Sequence, residues 1–168
     1  QANAEHASKP VDTGNRRLPA GIRDGVARLS TMYTKEYEDD KAGMKGSTFF
    51  RASAIVLSPV EHNGEKVAGM VTSVIISLCD VPAKGLRKEV PFSQNWFEFQ
   101  NIFKQLGIYP PDGQQGRPDY TAEAIPDPLA ASQMIEAYYF AAMKSLTDPV
   151  RVKTNPVYIS FSTRGWTP

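Results

Sequence analysis

The sequence predicts an α+β domain that is mainly β: a small barrel of three meandering strands, a two-helix insertion and a closing strand. Two observations carry this. Runs in which apolar and polar residues alternate fill residues 26–79 and return at 157–166, the pattern of half-buried strands. Between 92 and 148, apolar residues recur instead at helical spacing.

At 168 residues the chain is the length of one ordinary domain and can bury a core without disulfides or metal. Residues 1–19 lack apolar periodicity and read as a flexible N-terminal arm; residues 20–168 are expected to form the domain. Val26 to Tyr33 is the first strand candidate, with imperfect alternation. A charged loop from Glu36 to Gly46 joins it to the second, Thr48 to Leu57. There Phe50, Ala52, Ala54 and Val56 take the expected core face, and Phe49, Arg51, Ser53, Ile55 and Leu57 the other. Asn63-Gly64 marks a turn. Gly69 to Cys79 gives the third strand, apolar on both faces and so expected at the sheet centre.

The helical insertion covers about residues 92–148. Ser93 is placed to cap a helix carrying Trp96, Phe99, Phe103 and Leu106 on one stripe, stopped by Gly107. Residues 110–126, rich in Pro, Gly, Gln and Asp, read as a loop. Asp127 and Pro128 then open a second helix whose buried stripe is Met134, Ile135, Tyr138, Ala142, Met143 and Leu146, ended by Asp148-Pro149. The closing strand, Val157 to Trp166, places Val157, Ile159, Phe161 and Thr163 on one face and Tyr158, Ser160, Ser162, Arg164 and Trp166 on the other. A further strand is expected beyond Pro168.

Motifs for catalysis fail on spacing or residue type. His6 and His62 lie in the arm and in a turn, without the spacing of a metal site; His62 reads as a solvated turn residue. Cys79 is the one cysteine, and the neighbouring Asp80 opposes thiolate formation. It reads as a buried structural residue. The Glu36, Glu38, Asp39, Asp40 run lacks the ligand order of a calcium loop, and Gly43 to Ser47 lacks that of a phosphate loop. No nucleophile elbow is present. The expectation is a non-enzymatic protein without cofactor or metal. A single cysteine fits a reducing, cytoplasmic compartment, and no apolar run is long enough to span a bilayer.

What remains is a binding surface. With 19 Lys and Arg against 18 Asp and Glu, the net charge is +1, so any polyanion site must be a local cluster. Single-stranded nucleic acid is held by cations that track phosphates and by aromatic faces that stack on bases. Phe49 and Arg51 on the second strand, with Tyr158, Ser160, Arg164 and Trp166 on the last, offer that mixture; Arg28, Lys41 and Lys45 extend the path. Buried guanidinium needs a paired carboxylate, so Arg51 and Arg164 are expected at the surface.

Several short segments strengthen this expectation. Leu18-Pro19-Ala20-Gly21 leads into the first strand, Lys45-Gly46-Ser47-Thr48-Phe49-Phe50 opens the second, and Pro59-Val60-Glu61-His62-Asn63-Gly64 forms the following turn. Leu78-Cys79-Asp80, Phe103-Lys104-Gln105-Leu106-Gly107 and Tyr158 to Arg164 continue the pattern. Between Leu18 and Trp166 the chain thus resembles phage and bacterial proteins of the oligonucleotide/oligosaccharide-binding (OB) barrel, related to phage-type single-stranded-DNA-binding proteins. The resemblance implies an OB-like domain with single-stranded DNA as partner and a role in DNA replication or recombination. The other expectation is a structural or assembly protein that forms a homo-oligomer through its arm and sheet edge.

Overall fold

The computed structural model describes residues 17–40, 43–108 and 127–167. They form an α+β fold dominated by one antiparallel sheet. Strands β1 (Gly25–Glu36) and β2 (Thr48–Ser58) form a long hairpin, and β3 (Glu61–His62) and β4 (Glu65–Lys66) make a small ribbon around the Asn63-Gly64 turn. Strands β5 (Val71–Ser77), β6 (Tyr158–Ser162) and β7 (Gly165–Thr167) complete a sheet of order β5-β2-β1-β6-β7.

The β1–β2 pairing shifts register between Leu29 and Thr31. This bulge explains the imperfect alternation in the sequence, because Leu29 and Met32 both point inward although they are three residues apart. In β2 the expected faces hold: Phe50, Ala52, Ala54 and Val56 are buried. Strand β5 departs from expectation, since it is an edge strand and not a central one. Its second apolar face is open, with Ile75 59% exposed.

The run 157–166 is not one strand. Backbone bonds pair Phe161 with Trp166 and Ser162 with Gly165 across a turn at Thr163-Arg164. Gly165 sits at φ +145°, which a side chain would resist. The closing run thus supplies two strands, β6 and β7, where one was expected. The expected closed barrel is not formed either: Trp166 Nε1 donates to Thr72 Oγ1 at 3.4 Å, but no backbone ladder joins β7 to β5 among the described residues.

Helix α1 (Phe92–Gln105) buries Trp96, Phe99 and Phe103 against the sheet. Its N-terminus is not capped by Ser93; the Asp80 carboxylate accepts from the Phe92 N–H at 2.7 Å, putting negative charge at the positive end of the helix. At the other end, Gly107 N–H bonds to Lys104 O and Ile108 N–H to Phe103 O, with Gly107 at φ +74°, a Schellman stop. Helix α2 (Pro128–Met134) is capped by Asp127, which accepts from Ala130 N–H at 2.8 Å. It runs through a π-helical turn (Ile135–Phe140) into α3 (Ala141–Thr147). The extra residue of that turn shifts the inward position from Tyr138 to Tyr139, which helical spacing alone did not mark. Asp148 does not merely end this rod, because its carboxylate accepts from Val150 and Arg151 N–H and opens α4 (Pro149–Thr154). The helical insertion thus reaches residue 154 and not 148.

Two clusters form the core. In the larger, Phe50 of β2 meets Phe99 edge-on at 5.1 Å, and Tyr139 lies 4.9 Å from Phe99 and 4.6 Å from Phe103. Burial pushes the Tyr139 phenol up to about 12, against an opposing hydrogen bond with Gln100. The smaller cluster joins Ile22, Ala27, Ala54, Val56, Val67, Met70, Ile159 and Phe161. Leu18 packs on it, so this part of the expected arm belongs to the body; residues 1–16 lie outside the described residues.

Two substitutions test the packing. Phe99→Ala removes the ring at the centre of the aromatic cluster and is expected to cost about 3–5 kcal/mol in denaturant unfolding. Gly25 faces Phe161 across the β1–β6 pair, where an added methyl would overlap the ring. Gly25→Ala is expected to cost about 1–3 kcal/mol by the same measurement; an unchanged unfolding midpoint would contradict this close contact.

Candidate nucleic-acid interface

Because both core clusters lie on one face of the sheet, the other is left bare among the described residues. Paired residues of antiparallel strands share a face, so the register defines its rows. Ser77, Phe49 and Lys35 stand side by side, followed by Ile75, Arg51 and Tyr33, then Ser73, Ser53 and Thr31. Val71, Ile55, Arg28 and Tyr158 form the next row.

Of the expected site residues, the structure brings Phe49, Arg51, Arg28, Tyr158 and Ser160 onto this face. Arg28 and Ser160 are exposed, Arg51 and Phe49 half-buried, and Tyr158 is 56% exposed. Arg164 is exposed but belongs to the β6–β7 turn. Lys45 is exposed in the β1–β2 loop, and Lys41 lies outside the described residues. Trp166 moves away from the group: the turn at 163–164 carries it to the core face, where it packs on both clusters.

The structure adds residues that sequence reasoning passed over. Tyr33 and Lys35 share the face with Arg51 and Phe49, and the Lys35 ammonium lies 5.7 Å from the Tyr33 ring centroid. The β1 bulge hid their alternation. Tyr37 packs on Phe49 with ring centroids 4.7 Å apart and shares a hydrogen bond with Ser77 Oγ. The rows above contain Arg28, Lys35 and Arg51 and no carboxylate. A chain of near-neutral charge has therefore placed an acid-free, cationic and aromatic surface on one side.

Beyond Phe49 the face runs into a cleft of about 510 Å³. One wall is a β-ribbon held by the pairs Val81–Val90 and Lys84–Arg87, which presents Lys84 and Arg87 to the cleft. Arg87 donates to Pro82 O at 3.0 Å, which steadies the ribbon. Glu36, Glu38 and Asp39 supply the opposite charge from the β1 end and the loop.

Other candidates have structural roles. His62 is not simply solvated; its Nε2 lies 3.1 Å from Ala20 O and tethers the segment before β1 to the β3–β4 ribbon. No group of three or more His, Cys, Asp or Glu among the described residues could hold a metal ion. Cys79 is half-buried and not fully enclosed. Burial and the Asp80 charge push its thiol up, against a hydrogen bond from Ser47. No helix among the described residues is long and apolar enough to cross a membrane. Comparison with protein-family models, with curated proteins and with solved structures gives no match.

The raised Cys79 pKa yields a reactivity prediction. The thiolate is the reacting species, so alkylation by iodoacetamide near pH 8 is expected to be slower than in the unfolded chain. Its pH–rate profile should inflect above that of an ordinary thiol. An inflection near neutrality would contradict this environment.

Proposed function

We propose that the bare face of the sheet binds single-stranded nucleic acid, with little dependence on sequence along most of its length and with single-stranded DNA as the first ligand to test. The observation that carries this reading is the acid-free surface on which Arg28, Lys35 and Arg51 interleave with Tyr33, Phe49 and Tyr158. Cations beside a strand release its counterions, and each stacked base contributes roughly 1–3 kcal/mol. Serines at 53, 73 and 160 add hydrogen-bonding groups for phosphate or sugar.

An OB-like relationship is part of the proposal. Such a barrel has five strands, is partly open, and uses the face of its second and third strands with the loops after the first and fourth. The strand order found here, the helical insertion between β5 and β6, and the site on β2 and β5 next to the β1–β2 loop support this reading. On it, Arg164 in the β6–β7 turn regains a place beside the strand. On this proposal the domain acts without catalysis or cofactor, in DNA replication or recombination.

A second reading, assembly into a homo-oligomer, is favoured by one feature: β5 is an edge strand with Val71 and Ile75 exposed, and such edges can pair with another copy. Light scattering over a concentration series separates the two. A strict monomer opposes assembly.

Strand binding is best read by anisotropy of a labelled oligo-dT, because Trp96 and Trp166 both lie on the helix side of the sheet. Binding is expected to weaken linearly in log–log plots against salt, and Arg51→Ala or Lys35→Ala to lower the slope by about 0.7 each. Tyr158→Ala is expected to cost roughly 1–3 kcal/mol while leaving the slope unchanged. Failure of dT12 to bind at micromolar protein and low salt would sink the proposal.

A further inference from the structure

We infer that the cleft beyond Phe49 is a base-selective pocket that prefers guanine, a specificity that rests on the strand-binding reading of the adjoining face. Lys35, Lys84 and Arg87 share this cleft with Glu36, Glu38 and Asp39. The cleft therefore presents cations and carboxylates at once to whatever enters it. A bare phosphate would meet the carboxylates, and a simple amine would meet the cations. A ligand that is anionic at one end and a hydrogen-bond donor at the other satisfies both.

A nucleotide has that polarity. Its phosphate would turn toward Lys84 and Arg87, whose ribbon is fixed by the Lys84–Arg87 pair. Its base would lie on the tilted Tyr37–Phe49 pair, where the cleft meets the open face. The volume of about 510 Å³ is within the range of roughly 300–1,000 Å³ of small-ligand clefts.

The carboxylates then choose the base. On its Watson–Crick edge guanine offers two adjacent donors, N1–H and the N2 amino group, which match the two oxygens of one carboxylate. Adenine and cytosine each set an acceptor nitrogen beside their single amino group, and thymine flanks its one N–H with carbonyl oxygens. Each of these turns lone pairs toward a carboxylate. Guanine alone does not, so a strand lying along the face is read at one position and tolerated elsewhere.

The test compares labelled dT12 with dT12 carrying one guanine at the 5′ end, the centre or the 3′ end, and with deoxyinosine at the same places. A single guanine in at least one position is expected to tighten binding about tenfold, in line with a bidentate base contact; deoxyinosine, which lacks the N2 amino group, should lose most of that gain. The triple variant Glu36→Gln, Glu38→Gln, Asp39→Asn should bind dT12 more tightly, since phosphate repulsion falls, and should lose the guanine preference. If the carboxylates only repel the strand, dT12 binding tightens while the guanine-to-thymine ratio stays as in the native protein, and the assignment is overturned. Binding of dT12 with no guanine preference at any position overturns it too, leaving the strand-binding reading intact. Absence of binding by every strand removes both.

Discussion

The aromatic contact of Phe50 with Phe99 and Phe103 fixes the rest of the architecture. It pins α1 to one face of β2, and Tyr139 then locks the rod containing α2 and α3 onto the same side. Large rings buried together dominate the energetics of a small core, so both helical layers are drawn to one face. The opposite face of β1, β2 and β5 has no layer among the described residues. Its exposure follows from where the aromatic residues were placed, and functional groups can occupy it without disturbing the core.

Charge separation follows the same division. The chain is close to neutral overall, yet the carboxylates near the bare face gather at the β1–β2 loop and the rows themselves carry none. A polyanion responds to the local field and not to the net charge. The neutral sum, which from composition alone argued against strong polyanion binding, therefore conceals a cationic surface. The loop carboxylates give that surface an end.

Much of this was legible in the sequence where periodicity was clean. Strand β2 shows its two faces directly, from Phe50, Ala52, Ala54 and Val56 against Phe49 and Arg51, and α1 shows its stripe through Trp96, Phe99 and Phe103. Three local irregularities hid the rest. The β1 bulge concealed Tyr33 and Lys35 as face residues. The π-helical turn moved the buried position to Tyr139. A two-residue turn at Thr163-Arg164 reversed the chain inside an alternating pattern, so Trp166 was assigned to the wrong face; the following Gly165 was the available signal. Lys84 and Arg87 carry no local signal of a site, since nothing in the sequence around them shows that their ribbon shares a cleft with the end of β1.

The proposed function requires that single-stranded DNA dock on the bare face of the sheet and not on the helical layer. Amide chemical shifts of the labelled protein, followed during titration with dT12, test it most directly. Progressive shifts are expected at Tyr33, Phe49, Arg51, Ile75 and Tyr158, with Ser132, Glu136 and Lys144 on the helices unmoved. Binding that shifts the helical residues and leaves those five unchanged would contradict it.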